Sequence, residues 1–155
     1  MCSLLSAIRK AKNEAHLLTG FIRFSRCETG VYVSRIRPKN QVLPLISGHF
    51  CRRFSDQPFL IWDITHRMAL LHQPGKRPQV LPLECLDMPA HSPEEEEIQN
   101  MWRAFYNTLA IPARENPRCR MTHMPKRFWE FLTELTPPPA KKEEKALTFF
   151  NEMVQ

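Results

Sequence analysis

The sequence predicts an α+β fold, an antiparallel sheet of four or five strands with helices on one face and a helical C-terminal part. Three observations predict it. Apolar residues recur at helical spacing near the start of the chain. Residues 31–63 pack strand, turn, helix and strand into one continuous block. Beyond residue 92 the apolar pattern is helical again.

Leu4, Leu5, Ile8, Ala11, Ala15 and Leu18 form one stripe, so residues 4–18 are expected to be a helix. Lys12 and His16 share a face of it, with Glu14 placed elsewhere on its surface. Gly20 suits the residue just past a helix end. Residues 20–26, GFIRFSR, and 31–37, VYVSRIR, are β-branched and aromatic and are expected to pair as an antiparallel hairpin. Pro38 ends the second strand because it cannot donate to a ladder. Asn40 is the expected N-cap of a helix over residues 41–54. That helix buries Leu43, Ile46, Phe50 and Phe54 and tolerates Pro44 in its first turn.

A second hairpin is expected over 58–64 and 68–72, turning at Thr65-His66-Arg67. A short fifth strand follows at 79–83, and residues 86–91 form a linker. Ser92-Pro93 followed by four glutamates is a strong helix start, since the hydroxyl caps and the carboxylates meet the positive end of the dipole. Ile98, Met101, Trp102, Phe105 and Leu109 are its expected buried stripe. A basic loop or short helix follows at 111–120, then a helix at 126–135 facing Phe128, Trp129 and Leu132 inward. The domain is expected to span 1–136, with 137–155 a proline-led charged tail or docking helix.

The formal net charge is +6. Residues 1–90 carry 13 basic and 6 acidic residues, and 103–127 carry 6 and 1. A basic body of this kind suits an anionic partner, nucleic acid first. Five scattered cysteines without C-x-x-C argue against a disulfide framework, a zinc site or an iron–sulfur cluster. The six histidines show no H-x-x-x-H spacing and the four glycines no phosphate loop. No metal and no cofactor is therefore expected. No apolar run reaches membrane-spanning length and the first residues lack a signal-peptide core, so the chain is read as cytoplasmic with no membrane partner.

The candidate nucleic-acid-binding residues are Arg35, Arg37, Lys39, Asn40, His49, Arg53, Lys126 and Arg127. Arginine and lysine would contact phosphates, the source of most non-specific affinity. Tyr32 and Trp62 are candidates for stacking on a base. The competing reading is an enzyme acting on a nucleic acid or nucleotide, with His49, Asp63, Arg53 and Arg67 as candidate catalytic residues. Helix geometry turns Cys51 away from His49, which disfavours a thiol nucleophile. A third reading is a protein–protein adaptor with a basic docking face.

The run R-x-x-P-x-N-x-V-L-P-L-I-x-x-H-F-x-x-R-F-x-x-Q-P over residues 35–58 resembles a bacterial family of probable DNA metabolism proteins built on a domain of unknown function. Glu14-x-His16 with Gly20-Phe21-Ile22-Arg23-Phe24, and Asn116-Pro117 with Met124-Pro125-Lys126-Arg127-Phe128-Trp129, resemble the same family in the same order. The resemblance implies a role in DNA repair or modification, with DNA favoured over RNA. It implies a radical-SAM or uracil-DNA-glycosylase-like repair protein as a partner. Family members usually carry a long helical segment before the Glu-x-His element. On that comparison the chain is expected to be a short form without it.

Overall fold

The computed structural model describes residues 2–137. The expected tail or docking helix beyond Pro137 lies outside the described residues. Helix α1, Cys2–Phe21, runs past Gly20, and the amide of Ile22 still donates to Leu18 O at 3.0 Å. Ala15, Leu18 and Ile22 are buried, whereas Leu4, Leu5 and Ile8 are exposed. The first half of the expected stripe thus has no core beneath it. Because α1 consumes residues 20 and 21, the expected first strand shrinks to β1, Ser25–Arg26. Gly30, at φ 80°, makes the turn into β2, Tyr32–Ile36.

Helix α2, Leu43–Arg53, carries Pro44 in its first turn and buries Leu43, Ile46 and Phe50, as its periodicity requires. Its N-cap is Val42 rather than Asn40. Strand β3, Phe59–Asp63, then lies beside β2 in parallel, with Tyr32 opposite Phe59 and Ile36 opposite Asp63. This departs from a wholly antiparallel sheet. A helix between two strands is the crossover that parallel neighbours need, and α2 supplies it. Strands β4, Met68–His72, and β5, Gln79–Pro82, complete antiparallel hairpins. The sheet order is β1-β2-β3-β4-β5.

All five residues of β3 are buried, because both sheet faces are covered. On one face Ile36, Phe59, Ile61 and Leu70 meet Ala15 and Leu18 of α1, Leu43, Ile46 and Phe50 of α2, and Phe128. On the other, Val33, Leu60, Trp62, Ala69 and Leu71 lie under Leu83 and Leu86 of the irregular chain after β5. Helices α1 and α2 therefore share one face, as expected of this fold class.

His72, on the helix-covered face, lies 4.9 Å from the Phe59 ring, and both its ring nitrogens are buried without a hydrogen-bond partner among the described residues. An unpaired buried polar group costs about 1–3 kcal/mol. His72→Leu is expected to raise stability by about 1 kcal/mol, seen as a higher urea midpoint at unchanged slope.

Helix α3, Pro93–Leu109, starts where the sequence places it, with Ser92 Oγ accepting from the Glu95 amide at 3.2 Å. Its orientation is the reverse of the expected one. Glu95 and Gln99 are buried, and Ile98, Met101, Trp102, Phe105 and Leu109 are exposed. Polar bonds hold it this way. Gln99 Nε2 donates to Ser25 Oγ at 3.1 Å, Arg103 Nε to Thr133 O at 3.0 Å, and Trp102 Nε1 to Glu134 Oε2 at 3.1 Å. Helix α4, Pro117–His123, is capped by Asn116. The expected last helix is a short 3-10 helix, Lys126–Phe131, that inserts Phe128 into the core.

Candidate nucleic-acid interface

Because β2 and β3 run in the same direction, their carboxyl ends lie at one end of the sheet. Residues following parallel strands at that end commonly line ligand sites. Here Ile64 N donates to Ile36 O at 3.0 Å. The segment after β2 carries Arg37, Lys39 and Asn40. The segment after β3 carries His66 and Arg67, the latter at φ 54° in the turn to β4.

Glu14 ties this end together. Its carboxylate is 4% exposed. Oε1 accepts from Lys39 N and from Arg127 Nη2, each at 2.9 Å. Oε2 accepts from Asn40 N at 2.9 Å and Asn40 Nδ2 at 2.7 Å. Burial opposes its charge, but the amides of Lys39 and Asn40, the Asn40 side chain and the Arg127 guanidinium outweigh that and hold its pKa below the ordinary 4.5. Three sequence-distant segments, around Glu14, Lys39 and Lys126, therefore meet on one carboxylate. The sequence reading put Glu14 on the surface. The signal available was its position one residue before Ala15, which belongs to the buried stripe.

The eight candidate binding residues divide accordingly. Asn40 Nδ2 and Arg127 Nη2 are bonded to Glu14. Arg37 pairs with Glu130 at 3.0 Å. The Arg35 and Arg37 guanidinium carbons lie 5.8 and 5.9 Å from the Phe131 ring centroid, a cation–π arrangement that stiffens both side chains. Lys39 and Lys126 are exposed and make no ion pair among the described residues. His49 is exposed on α2, edge-on to Phe50 at 5.0 Å. Arg53 ends α2 beside Phe54, whose ring packs 6.2 Å from Phe59 at the start of β3. A five-residue strand spans about 13 Å, so Arg53 and Asp63 sit at opposite ends of it.

The catalytic candidates are thus brought together only in part. Asp63 is fully buried, and its partner is His66, not His49. Asp63 Oδ1 accepts from His66 N at 3.1 Å, and Oδ2 lies 2.6 Å from His66 Nδ1. Arg67 follows directly in the chain. Sequence reasoning missed His66, although an aspartate closing a buried strand three residues before a turn histidine was a readable signal.

Trp62 is buried and donates from Nε1 to Leu83 O at 3.1 Å, and Tyr32 packs against the core, so neither is a free stacking platform. The aromatic at the basic end is Phe131. Burial pushes the Cys51 thiol up, and burial with Glu95 and Glu28 pushes Cys27 up to about 12. Neither is poised as a thiolate. Lys12 and His16 line a shallow cleft of about 220 Å³ against Leu45 and Ile46, below the roughly 300–1,000 Å³ of small-molecule sites. Among the described residues no three His, Cys, Asp or Glu side chains are grouped to hold a metal ion, and no helix is long and apolar enough to cross a membrane.

No curated protein and no solved structure matches the chain. A family model described as a domain of unknown function, DUF4130, matches residues 1–134. That match takes in every described strand and helix, and the chain belongs to the DUF4130 family.

Proposed function

We propose that this chain is a nucleic-acid-binding protein of DNA metabolism that works with a repair or modification enzyme. The observation that carries the reading is the convergence of Lys39, Lys126 and Arg67 with the Phe131-stacked Arg35 and Arg37 at one end of the sheet. Glu14 holds one of these segments by the backbone amides of Lys39 and Asn40 and another by the Arg127 side chain, while the side chains of Lys39 and Lys126 stay exposed. Such a surface neutralises phosphates without selecting bases. The net charge of +6 and the resemblance to DNA-metabolism proteins support DNA as the partner.

The test is fluorescence anisotropy with single-stranded DNA, duplex DNA and structured RNA across a salt series. Each lost phosphate contact lowers the duplex salt slope by about 0.9. Lys39→Ala and Lys126→Ala are each expected to lower it by about that much. Lys76→Ala, in the β4–β5 loop at the other end of the sheet, is expected to leave it unchanged. Absence of binding at low salt would contradict the reading, and a protein complex surviving nuclease treatment would favour an adaptor.

One observation favours a second, enzymatic reading. A carboxylate on His66 Nδ1 leaves Nε2 as the nitrogen available to a reacting group, the geometry of a general base. That reading moves the catalytic histidine from His49 to His66. It predicts that His66→Ala abolishes turnover of a nucleic-acid substrate while the salt slope changes by less than one contact.

A further inference from the structure

Helix α3 has a marked apolar stripe, and the fold turns it outward. Ile98, Met101, Trp102, Phe105 and Leu109 are 42–70% exposed. The Trp102 and Phe105 rings stack at 5.7 Å and form its centre. The helix cannot roll this stripe inward without breaking the bonds of Gln99 to Ser25 and of Arg103 to Thr133 and Thr136. A contiguous exposed patch of this kind marks an interaction surface.

The charges along the helix indicate what covers it. Glu94, Glu96 and Glu97 are exposed at its N-terminal end, Glu94 accepting from Arg26 Nη1 at 3.0 Å, and Arg114 and Arg118 are exposed just past its C-terminal end. We infer that the outer face of α3 pairs antiparallel with the same face of a second copy of this chain. A two-fold axis between Trp102 and Phe105 sets Ile98 opposite Leu109 and brings Glu94 toward the segment after Leu109 that carries Arg114. The acidic end of each copy then meets the basic end of the other, twice, while the apolar stripes cover each other. A parallel pairing would set glutamates against glutamates. A self-complementary two-fold interface satisfies both the apolar and the charge pattern with one surface. This assembly is independent of the nucleic-acid reading, since Lys39 and Lys126 belong to other segments.

Sedimentation velocity on the full chain, over a dilution series, reads it directly. The expected result is a concentration-dependent equilibrium between an 18.2 kDa monomer and its dimer. Phe105→Asp, at an exposed position, is expected to raise the dissociation constant about 100-fold or more. Reversing Glu94 and Glu97, which lie on and beside the stripe, to lysine is expected to weaken the dimer about 10-fold at low salt. Adding Arg114→Glu and Arg118→Glu to the same chain should restore it, an effect only antiparallel pairing predicts. A monomer at every concentration, as a different occupant of the stripe would give, overturns the inference. So does a dimer indifferent to Phe105→Asp, or a charge swap that fails to restore association.

Discussion

Glu14→Ala is expected to lower stability by about 3–5 kcal/mol, the cost of breaking a buried, hydrogen-bonded charge pair from one side. The loss strands the amides of Lys39 and Asn40, the Asn40 side chain and the Arg127 guanidinium together. Urea denaturation should show a lower midpoint at unchanged slope. Glu14→Gln, which keeps one acceptor oxygen but turns an NH₂ toward donors, should fall between this variant and the wild type. The pH dependence has a definite sign. The folded-state pKa of Glu14 lies below its ordinary 4.5, so its contribution is complete above about pH 4.5 and is lost as pH falls through the folded value. The stability gap between wild type and Glu14→Gln should therefore be widest at neutral pH and close on acidification below 4.5. A gap that widened on acidification would contradict the anchoring role.

Phe128→Ala is expected to cost about 3–5 kcal/mol, the range for emptying a buried phenylalanine site. Phe128 is 2% exposed, its ring centroid lies 5.5 Å from that of Phe21, and the Arg127 guanidinium sits 4.6 Å over it. One side chain thus both fills the core between α1 and the sheet and holds Arg127 against Glu14. Its loss should release Lys126 and lower the duplex salt slope as well as the urea midpoint. Phe128→Leu, which keeps most of the volume, should cost less than about 1.5 kcal/mol and leave the slope in place. A normal slope in a strongly destabilised Phe128→Ala protein would separate the packing role from the binding role.

The sequence was most informative where local pattern and burial agree. The α2 stripe, the turn at Thr65–Arg67 and the Ser92-Pro93 helix start stand where their chemistry places them, because each is fixed by near neighbours. What it did not reveal depended on distant partners. The parallel pairing of β2 with β3 follows from α2 acting as a crossover, which no single strand pattern records. In α3 the apolar face looked like the buried one, yet Ser25, Thr133 and Thr136 draw its polar face inward by hydrogen bonds from far along the chain. Glu14 read as a surface residue because none of its partners is nearer than 25 positions. The basic residues were identifiable by type, but their division between structural and outward roles was not. Asn40 and Arg127 look identical to Lys39 and Lys126 until Glu14 is placed between them.

The most direct measurement is amide chemical-shift mapping of the isotopically labelled chain during titration with duplex DNA at low salt. Perturbations are expected to group at residues 35–40, 66–67 and 126–127, segments far apart in sequence that share one end of the sheet. Perturbations confined to α3 or the β4–β5 loop, or none at saturating DNA, would contradict a nucleic-acid interface at this end of the fold.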